Sequence, residues 1–239
     1  MYDFSNKVVL VTGGNGNLGQ TVVKAFGKAG ATLIVPDRSA GRLTTLFPEL
    51  AGSDKHYLAE GVDVSQEVGI NQLVSDIRQR FGRVDVLVNT VGGWEGMKLI
   101  HETSLETWDN MMNINGRIVF NICRGVLPLM LEQEAGKIIN IGARQSLILS
   151  EKEAVFAASK SALAHLTEIM SAEYRKQNIN INAVLPSTLD SPQIRQWMPN
   201  SDPEQFVKPE AVTEVILFLA SEAASSVHGA LIPVYSKLV

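Results

Sequence analysis

The chain has very little cysteine and no cluster of positive charge. Cys123 is the single cysteine among 239 residues, which excludes an internal disulfide and a cysteine-based metal site. The formal net charge is −4 without any basic run, so a nucleic-acid partner is disfavoured, because phosphate binding needs clustered Lys and Arg. The histidines, His56, His101, His165 and His228, are scattered without metal-ligand spacing. We therefore expect no metal site and no nucleic-acid binding.

Long apolar runs are also missing. No uninterrupted apolar stretch approaches the roughly 18 residues of a membrane span. The N-terminus passes from a Val-rich segment directly into a glycine-rich turn, without a signal-peptide cleavage region. We therefore expect neither a membrane partner nor a secreted protein, and a reducing, cytoplasmic location fits the cysteine content.

Short runs rich in Val and Ile alternate with longer amphipathic stretches along the chain. The predicted strands are 7–12, 31–35, 55–59, 84–89, 136–141, 178–185 and 231–234. The predicted helices are 18–29, 40–50, 66–81, 105–131, 153–177 and 209–221. Continuous apolar strands that alternate with helices indicate a parallel sheet covered on both faces. The sequence thus predicts one α/β domain over 1–239, a doubly wound Rossmann-type sheet of about seven strands.

One long irregular segment, 186–203, is rich in Pro and Ser and follows the sixth predicted strand. Ligands of open α/β sheets bind beyond the carboxyl ends of the strands, so we interpret this segment as a flap on the substrate side. A plain surface connection is the alternative interpretation.

A glycine-rich turn joins the first predicted strand to the first predicted helix. It reads Thr12-Gly13-Gly14-Asn15-Gly16-Asn17-Leu18-Gly19 and contains Gly-x-Gly-x-x-Gly. Backbone N–H groups in such a turn, together with the helix N-terminus, bind a pyrophosphate, and glycine allows the phosphate to approach closely. Turns alone produce many such segments. The predicted cofactor contacts in this turn are Gly13, Asn15, Gly16, Asn17, Leu18 and Gly19.

Asp37 lies near the end of the second predicted strand, eighteen residues beyond Gly19. A carboxylate at this place can accept both ribose hydroxyls of NAD and would repel the 2′-phosphate of NADP. The neighbouring Arg38 keeps NADP(H) as the less favoured cofactor, because an arginine can bind the additional phosphate. Alternatively, Asp37 is an N-cap or turn residue before the next helix.

These features agree in order and spacing with the short-chain dehydrogenase/reductase family, which the chain resembles over nearly its whole length. Asn17 stands in place of the middle glycine of the family's Thr-Gly-x-x-x-Gly-x-Gly. Because Asn tolerates left-handed geometry best among non-glycine residues, we expect the turn to persist. Further matching motifs are Asp63-Val64, Asn89-Thr90-Val91-Gly92, Trp108-Asp109 followed by Asn115, and Pro186-Ser187-Thr188. The resemblance implies cofactor contacts by Asp63, Val64, Asn89, Lys160, Pro186 and Thr188.

Shorter segments resemble the dihydropteridine reductase branch of the family. They are Val91-Gly92-Gly93-Trp94, Gly142-Ala143-Arg144 and the segment 185–192. That branch also lacks the family's catalytic serine, and it has Gly-Ala-Lys/Arg at the corresponding place, but it retains the catalytic tyrosine.

The acid–base half of the family's site is incomplete in this chain. Phe156-Ala157-Ala158-Ser159-Lys160 stands where the family has Tyr-x-x-x-Lys, and Ala143 stands where it has serine. The resemblance implies that Lys160 binds the nicotinamide ribose and that Asn115 holds a proton-relay water. Phe156 has no O–H, and losing a positioned general acid typically costs about 10²–10⁴ in rate. Alternatively, Lys160 is a solvated helix charge.

No nearby side chain is an obvious replacement for the missing acid. Glu153 fits a Ser-x-x-Glu capping box that starts at Ser150. Ser146 could take the place of Ala143 only through a bulge. The predicted substrate pocket comprises Trp94, Ala143 and Phe156, although Trp94 could instead be ordinary loop packing.

Two functions from different classes remain open. The first is an NAD(H)-dependent oxidoreductase that acts on a small activated substrate, quinonoid, iminium or carbonyl, whose product takes its proton from water. The second is a catalytically impaired NAD(H)-binding protein with a regulatory or structural role, which the paired loss of tyrosine and serine favours. A third possibility is that Phe156 was introduced into an active protein. The apolar helices 105–131 and 153–177, with the family resemblance, predict a homodimer or homotetramer.

Overall fold

The computed structural model describes residues 2–237, and within them one parallel sheet runs through the middle of the molecule. Its strands are β1 (Val8–Thr12), β2 (Thr32–Asp37), β3 (Tyr57–Glu60), β4 (Val86–Asn89), β5 (Gly136–Ile141), β6 (Ile179–Pro186) and β7 (Leu231–Val234). The strand order is β3-β2-β1-β4-β5-β6-β7, and all neighbouring pairs are parallel. The predicted doubly wound α/β sheet is confirmed.

Helices cover both faces of the sheet. They are α1 (Asn17–Lys28), α2 (Arg42–Leu46), α3 (Glu67–Arg80), α4 (Leu105–Met112), α5 (Ile118–Glu132), α6 (Ala154–Tyr174), α7 (Pro192–Trp197) and α8 (Pro209–Ala220). Buried side chains of α1 and α8 form one core with the sheet, and those of α3, α5 and α6 form a second core on the opposite face. Every residue of β1, β4, β5 and β6 is buried, as expected for strands covered on both sides.

Two predictions about helices were wrong, and each has a local reason: one predicted helix is too long, and one helix was not predicted. The helix predicted over 40–50 is only the five-residue α2, because Phe47 precedes Pro48 and adopts φ −133° and ψ 61° instead of helical angles. The helix α7 lies inside the segment predicted to be irregular. Ser191 caps it by accepting from the backbone N–H of Ile194, and Pro192 occupies its first turn.

The long helix predicted over 105–131 contains a π-helical turn. Asn113–Arg117 separates α4 from α5, and such turns occur frequently at functional sites. The whole stretch Leu105–Glu132 is long and apolar enough to cross a membrane by length and composition, although it contains no uninterrupted apolar run of that length. Half of its most apolar window is buried in the molecule, where Ile118, Val119 and Ile122 join the core, as in a core helix.

Candidate functional site

The glycine-rich turn between β1 and α1 is packed against its own backbone. Gly13 has φ +69°, a conformation that side chains rarely adopt. A Cβ on Gly19 would lie 2.1 Å from the carbonyl oxygen of Gly13. The turn is closed by a 3.0 Å hydrogen bond from the N–H of Gly16 to that same oxygen. These positions therefore require glycine so that the start of α1 can lie directly beside the turn.

Asn17 is the first residue of α1, and it is not among the described residues with positive φ. The turn persists as expected, but the stated reason was wrong, because no left-handed residue is needed at this position. The Asn17 side chain instead donates a 2.7 Å hydrogen bond to the backbone carbonyl of Asp190. The turn is thereby connected to the segment 186–203.

Asp37 is buried at the carboxyl end of β2, next to the turn. Its carboxylate accepts hydrogen bonds from the side-chain amide of Asn15 and from the backbone N–H of Ser39, both at 2.7 Å. Of the alternative interpretations, the N-cap was wrong, because Gly41 is the N-cap residue of α2, whereas the bond from Ser39 shows that Asp37 does serve as a turn residue. A carboxylate has about four acceptor positions, so these two bonds leave capacity for ribose hydroxyls. Arg38 is exposed beside it.

The remaining predicted cofactor residues also follow strand ends. Asp63 and Val64 are half-buried after β3, and the Asp63 carboxylate accepts a 2.9 Å bond from the N–H of Ser65. The predicted contacts Pro186 and Thr188 lie at the end of β6 and just beyond it. A third strand end, that of β4, carries Asn89.

The Asn89 side chain is used inside the protein. It accepts a 3.2 Å hydrogen bond from the hydroxyl of Thr12 and donates a 2.9 Å bond to the side-chain oxygen of Asn140. Asn89 therefore joins β4 to β1 and β5. Any contact with a cofactor would have to come from its backbone.

Asn115 and Lys160 meet at the loop after β4. Asn115 is buried on the π-helical turn; its side chain accepts from the N–H of Gly93 at 2.9 Å and donates to the carbonyl of Gly93 at 3.0 Å. A Cβ on Gly92 would lie 3.1 Å from both Asn115 Oδ1 and Lys160 Nζ. The two predicted catalytic residues, distant in sequence, are thus neighbours, and only a glycine fits easily between them.

Lys160 is buried on α6, so the interpretation as a solvated helix charge was wrong. Its Nζ donates a 2.8 Å hydrogen bond to the carbonyl of Ile141, and burial lowers its pKa to about 8. Sequence reasoning missed Ser159, whose hydroxyl accepts a 3.0 Å bond from Asn115 and donates to the carbonyl of Phe156. The signal was available, because Ser159 immediately precedes Lys160.

Phe156 and Ala143 lie together in a small apolar cluster. Both are buried, and Met111 and Val155 complete the cluster, with Ile114 packed against it. The two positions that carry the tyrosine and the serine in the family therefore belong to one cluster here, and apolar side chains surround them. Asn115 lies beside this cluster, with its side-chain nitrogen 3.8 Å from the sulfur of Met111, and the hydroxyl groups that the family has at positions 143 and 156 are missing.

Glu153 does not form the predicted capping box. It is the N-cap residue of α6, but its side chain makes no capping hydrogen bond. Its carboxylate instead accepts from the indole N–H of Trp94 at 2.8 Å and from the side-chain amide of Gln145 at 2.9 Å. Long-range partners therefore replace the local cap, and Glu153 fixes the orientation of Trp94.

Trp94 also contacts the segment 186–203. The centroid of its ring lies 6.1 Å from the ring centroid of Trp197 on α7, and the two ring planes are inclined at 45°. Together with the bond from Asn17 to the Asp190 carbonyl, this contact attaches 186–203 at two places around the site. Both contacts place this segment beside the glycine-rich turn and the loop after β4.

Comparison with known proteins gives the class of this chain. Residues 7–202 match the family model described as short chain dehydrogenase. The chain therefore belongs to the short-chain dehydrogenase/reductase family, an oxidoreductase family whose members bind nicotinamide cofactors.

Individual relatives are similar over nearly the full length. The chain is 32% identical to 3-oxoacyl-[acyl-carrier-protein] reductase FabG of Thermotoga maritima, over 98% of both chains. It is also 32% identical to 2-(R)-hydroxypropyl-CoM dehydrogenase of Xanthobacter autotrophicus, over 94% of this chain and 95% of the relative. The solved structure of gox2181 has a TM-score of 0.89 and 29% identity, covering 97% and 95%. ElxO with NADP bound has a TM-score of 0.87 and 25% identity, covering 95% and 96%.

Lys160→Met should change how stability depends on pH. The pKa of Lys160 is about 8 in the folded protein against 10.5 for an ordinary lysine, so the unfolded state binds more protons between these values. Wild-type stability therefore gains up to about 3 kcal/mol as the pH rises from 8 to 10.5, and the Met variant lacks that gain. Urea unfolding at pH 7 and pH 10.5 measures the difference.

The control for this measurement is Lys176→Met, which removes an exposed lysine just beyond α6. Its pH dependence relative to wild type gives the background to be subtracted. If the stability of Lys160→Met changes with pH no differently from that of Lys176→Met, then burial does not destabilise the charged form of Lys160 as expected.

Proposed function

We propose that this protein is an NAD(H)-dependent oxidoreductase for a small, activated substrate of the quinonoid, iminium or electron-poor carbonyl type. The observation that carries the proposal is the meeting of Lys160 and Asn115 at Gly92, beside the apolar cluster of Phe156 and Ala143. Such a site can position a substrate and a cofactor, but Phe156 and Ala143 offer no proton donor at the two positions where the family has its tyrosine and serine hydroxyls. It therefore suits a substrate whose reduction product takes its proton from water.

The residues at the site fit a dinucleotide. The tightly closed turn at Gly13–Gly19 brings backbone N–H groups close to the N-terminus of α1, where they can bind a pyrophosphate. The Asp37 carboxylate can accept further hydrogen bonds from ribose hydroxyls. Lys160, already donating to one carbonyl, has further donors for the second ribose. The bound nicotinamide would supply or accept the hydride. ElxO has NADP in its solved structure, so the preference for NAD(H) rests on Asp37.

Asp37→Ala should weaken NADH binding more than NADPH binding. The variant loses a charged acceptor for two ribose hydroxyls, which corresponds to roughly 10–100-fold in NADH affinity. It also removes the repulsion of the 2′-phosphate, so NADPH affinity should stay the same or improve. Fluorescence titration with both cofactors measures the change, and Asp54→Ala removes an exposed carboxylate elsewhere as the control. Equal weakening for both cofactors would make Asp37 a structural residue.

The proposal is tested by NADH oxidation with a quinonoid dihydropterin as acceptor. The chain is compared with its Phe156→Tyr variant, and a simple ketone serves as the non-activated acceptor. Turnover of the dihydropterin by the unmodified chain, with little or no turnover of the ketone, supports hydride transfer without a protein acid. A chain that binds NADH but turns over no quinonoid or iminium acceptor contradicts the proposal.

The second candidate function is a cofactor-binding protein without turnover. The apolar burial of Phe156 and Ala143 favours it, because neither side chain can exchange a proton. The relatives described above are named as a reductase and a dehydrogenase, so they give this alternative no support. Turnover that appears only when Phe156 is replaced by tyrosine would favour it.

We further propose that the chain forms one domain and assembles as a cytoplasmic homodimer or homotetramer. The support is a set of apolar side chains that are exposed on α4, α5 and α6. They are Leu105, Trp108, Phe120, Leu131 and Ile169. Covering them against another subunit would remove apolar surface from water. A monomer in light scattering at micromolar concentration contradicts this assembly.

A further inference from the structure

Three polar side chains at adjacent strand ends have buried atoms without a hydrogen-bond partner. The atoms are Nε of Arg144, the hydroxyl oxygen of Ser187 and the hydroxyl oxygen of Tyr235. Among residues 2–237, no other buried side-chain nitrogen or oxygen lacks a hydrogen-bond partner. Buried polar groups in proteins are nearly always paired, so an unpaired group requires a specific explanation.

The sheet places the three side chains side by side. Arg144 follows β5, Ser187 follows β6 and Tyr235 follows β7, and these strands are consecutive in the sheet. The N–H of Ser187 donates a 3.2 Å hydrogen bond to the carbonyl of Val234, directly before Tyr235. Three separate parts of the chain therefore bring hydroxyl and guanidinium groups to the same edge of the sheet.

This edge adjoins the proposed substrate pocket. Arg144 directly follows Ala143, which occupies the place of the family's serine, and Ser187 directly precedes Thr188, a predicted cofactor contact. The neighbouring Gln145 donates to Glu153, which in turn holds Trp94. The unpartnered groups are thus next to residues expected to contact the substrate and the nicotinamide.

The charge at this edge is positive and lacks a counterion. The salt bridges found within residues 2–237 do not include Arg144, although its side chain is half-buried. The positive charge of Arg144 acts on Tyr235, where it opposes the rise in pKa that burial causes. Tyr235 therefore stays a neutral O–H donor near a guanidinium, which is a favourable environment for a bound anion.

We propose that Arg144, Ser187 and Tyr235 bind a carboxylate group of the substrate. The forked guanidinium matches the two oxygens of a carboxylate, and the two hydroxyls can donate to their remaining lone pairs. One positive charge with two neutral donors balances a singly charged carboxylate better than a doubly charged phosphate. The inference rests on the proposed function, because it names the class of activated acceptor as a small carboxylate-bearing molecule.

The test is calorimetric titration of the NADH-saturated protein with pairs of neutral and anionic probes. Benzoate and cinnamate are compared with benzamide and cinnamamide, and inorganic phosphate is the third arm. At least one carboxylate should bind tenfold or more tightly than its amide. Arg144→Gln should abolish this preference, and Ser187→Ala and Tyr235→Phe should each reduce it about three- to tenfold. Arg144→Lys, which keeps the charge but loses the fork, should fall between wild type and Arg144→Gln.

Arg175→Gln is the matched control, because it removes an exposed arginine at the far end of α6. The inference is wrong if no carboxylate is preferred over its amide, if phosphate binds as tightly as the best carboxylate, or if Arg144→Gln behaves like this control. It is also wrong if the variants change the oligomeric state in light scattering but leave carboxylate binding unchanged.

The design separates this inference from the proposed function. The dissociation constant of NADH and the melting temperature are measured for every variant, so misfolding and loss of cofactor are detected directly. Carboxylate binding by a protein that oxidises no NADH with any quinonoid or iminium acceptor would overturn hydride transfer and leave the subsite standing. NADH oxidation that Arg144→Gln leaves unchanged for carboxylate and neutral acceptors alike would overturn the subsite alone.

Discussion

Phe156→Tyr combined with Ala143→Ser should raise the rate of reduction of an ordinary ketone by about 10²–10⁴-fold, the usual contribution of a positioned general acid. Lys160 is already buried beside Asn115, and Phe156 and Ala143 already contact the same apolar cluster. The double variant restores a proton donor and a hydroxyl that orients the carbonyl, without requiring a new backbone arrangement. Steady-state kcat/KM with a simple ketone and NADH measures the gain.

The gain should depend on the substrate. A quinonoid or iminium acceptor, which does not need the protein acid, should show a much smaller change than the simple ketone. The added hydroxyl of tyrosine enters an apolar cluster, so the double variant should lose about 1–3 kcal/mol of stability if that hydroxyl finds no partner. Urea unfolding of the variant checks this cost.

Phe81→Tyr provides the control for the added hydroxyl, because Phe81 is half-buried just after α3 and does not belong to that cluster. It should leave ketone reduction at the wild-type level. If a folded double variant binds NADH but reduces the simple ketone no faster than wild type, then Lys160 and Asn115 are not aligned for proton transfer in this protein.

Gly19→Ala should reduce NADH affinity at least 100-fold and destabilise the fold by a few kcal/mol. The new Cβ would lie 2.1 Å from the carbonyl oxygen of Gly13, so either the turn or the start of α1 must move. Overpacking of this kind costs typically 1–3 kcal/mol, and here the obstructing atom belongs to the backbone. Fluorescence titration with NADH and urea unfolding measure the two effects.

Gly27→Ala, in the same helix, is the matched control. Its Cβ would lie 3.4 Å from a methyl group of Leu33, an ordinary contact, and alanine favours the helix interior by roughly 0.5–1 kcal/mol over glycine. The control should bind NADH normally and be as stable as wild type or slightly more stable. A Gly19→Ala variant that binds NADH like wild type would show that the turn does not hold the pyrophosphate.

Much of the fold could be predicted from the sequence because each strand has a local signature. The strands β1 and β4 are apolar runs that end in one polar residue, whereas β5 and β6 also include the buried Asn140, Asn180 and Asn182. The complete burial of all four strands requires helices on both faces. Ends of elements were harder to predict. The shortness of α2 depends on a single proline, whereas α7 was hidden in a segment rich in Pro and Ser although Ser191 and Pro192 are standard helix-start residues.

Some residues of the site could likewise be predicted from the sequence, and others could not. Asp37 at the end of β2, and the spacing of Asn115, Phe156 and Lys160, could be read from motif order. The partners of Glu153 could not, because a Ser-x-x-Glu pattern predicts a local cap, whereas Trp94 lies 59 positions away in sequence. The long-range hydrogen bond forms in place of the local one, because the loop after β4 lies beside the start of α6.

Residue types and neighbours within a few positions suffice to predict the strand–helix alternation, the glycine-rich turn and the presence of Lys160 without its tyrosine. The fold alone reveals that Lys160 is buried against Ile141 and that Asn115 lies on a π-helical turn. It also decided which unpartnered groups meet at the ends of β5, β6 and β7. Such proximity follows from strand order in the sheet, which joins segments that are far apart in the chain and carry no local signal of each other.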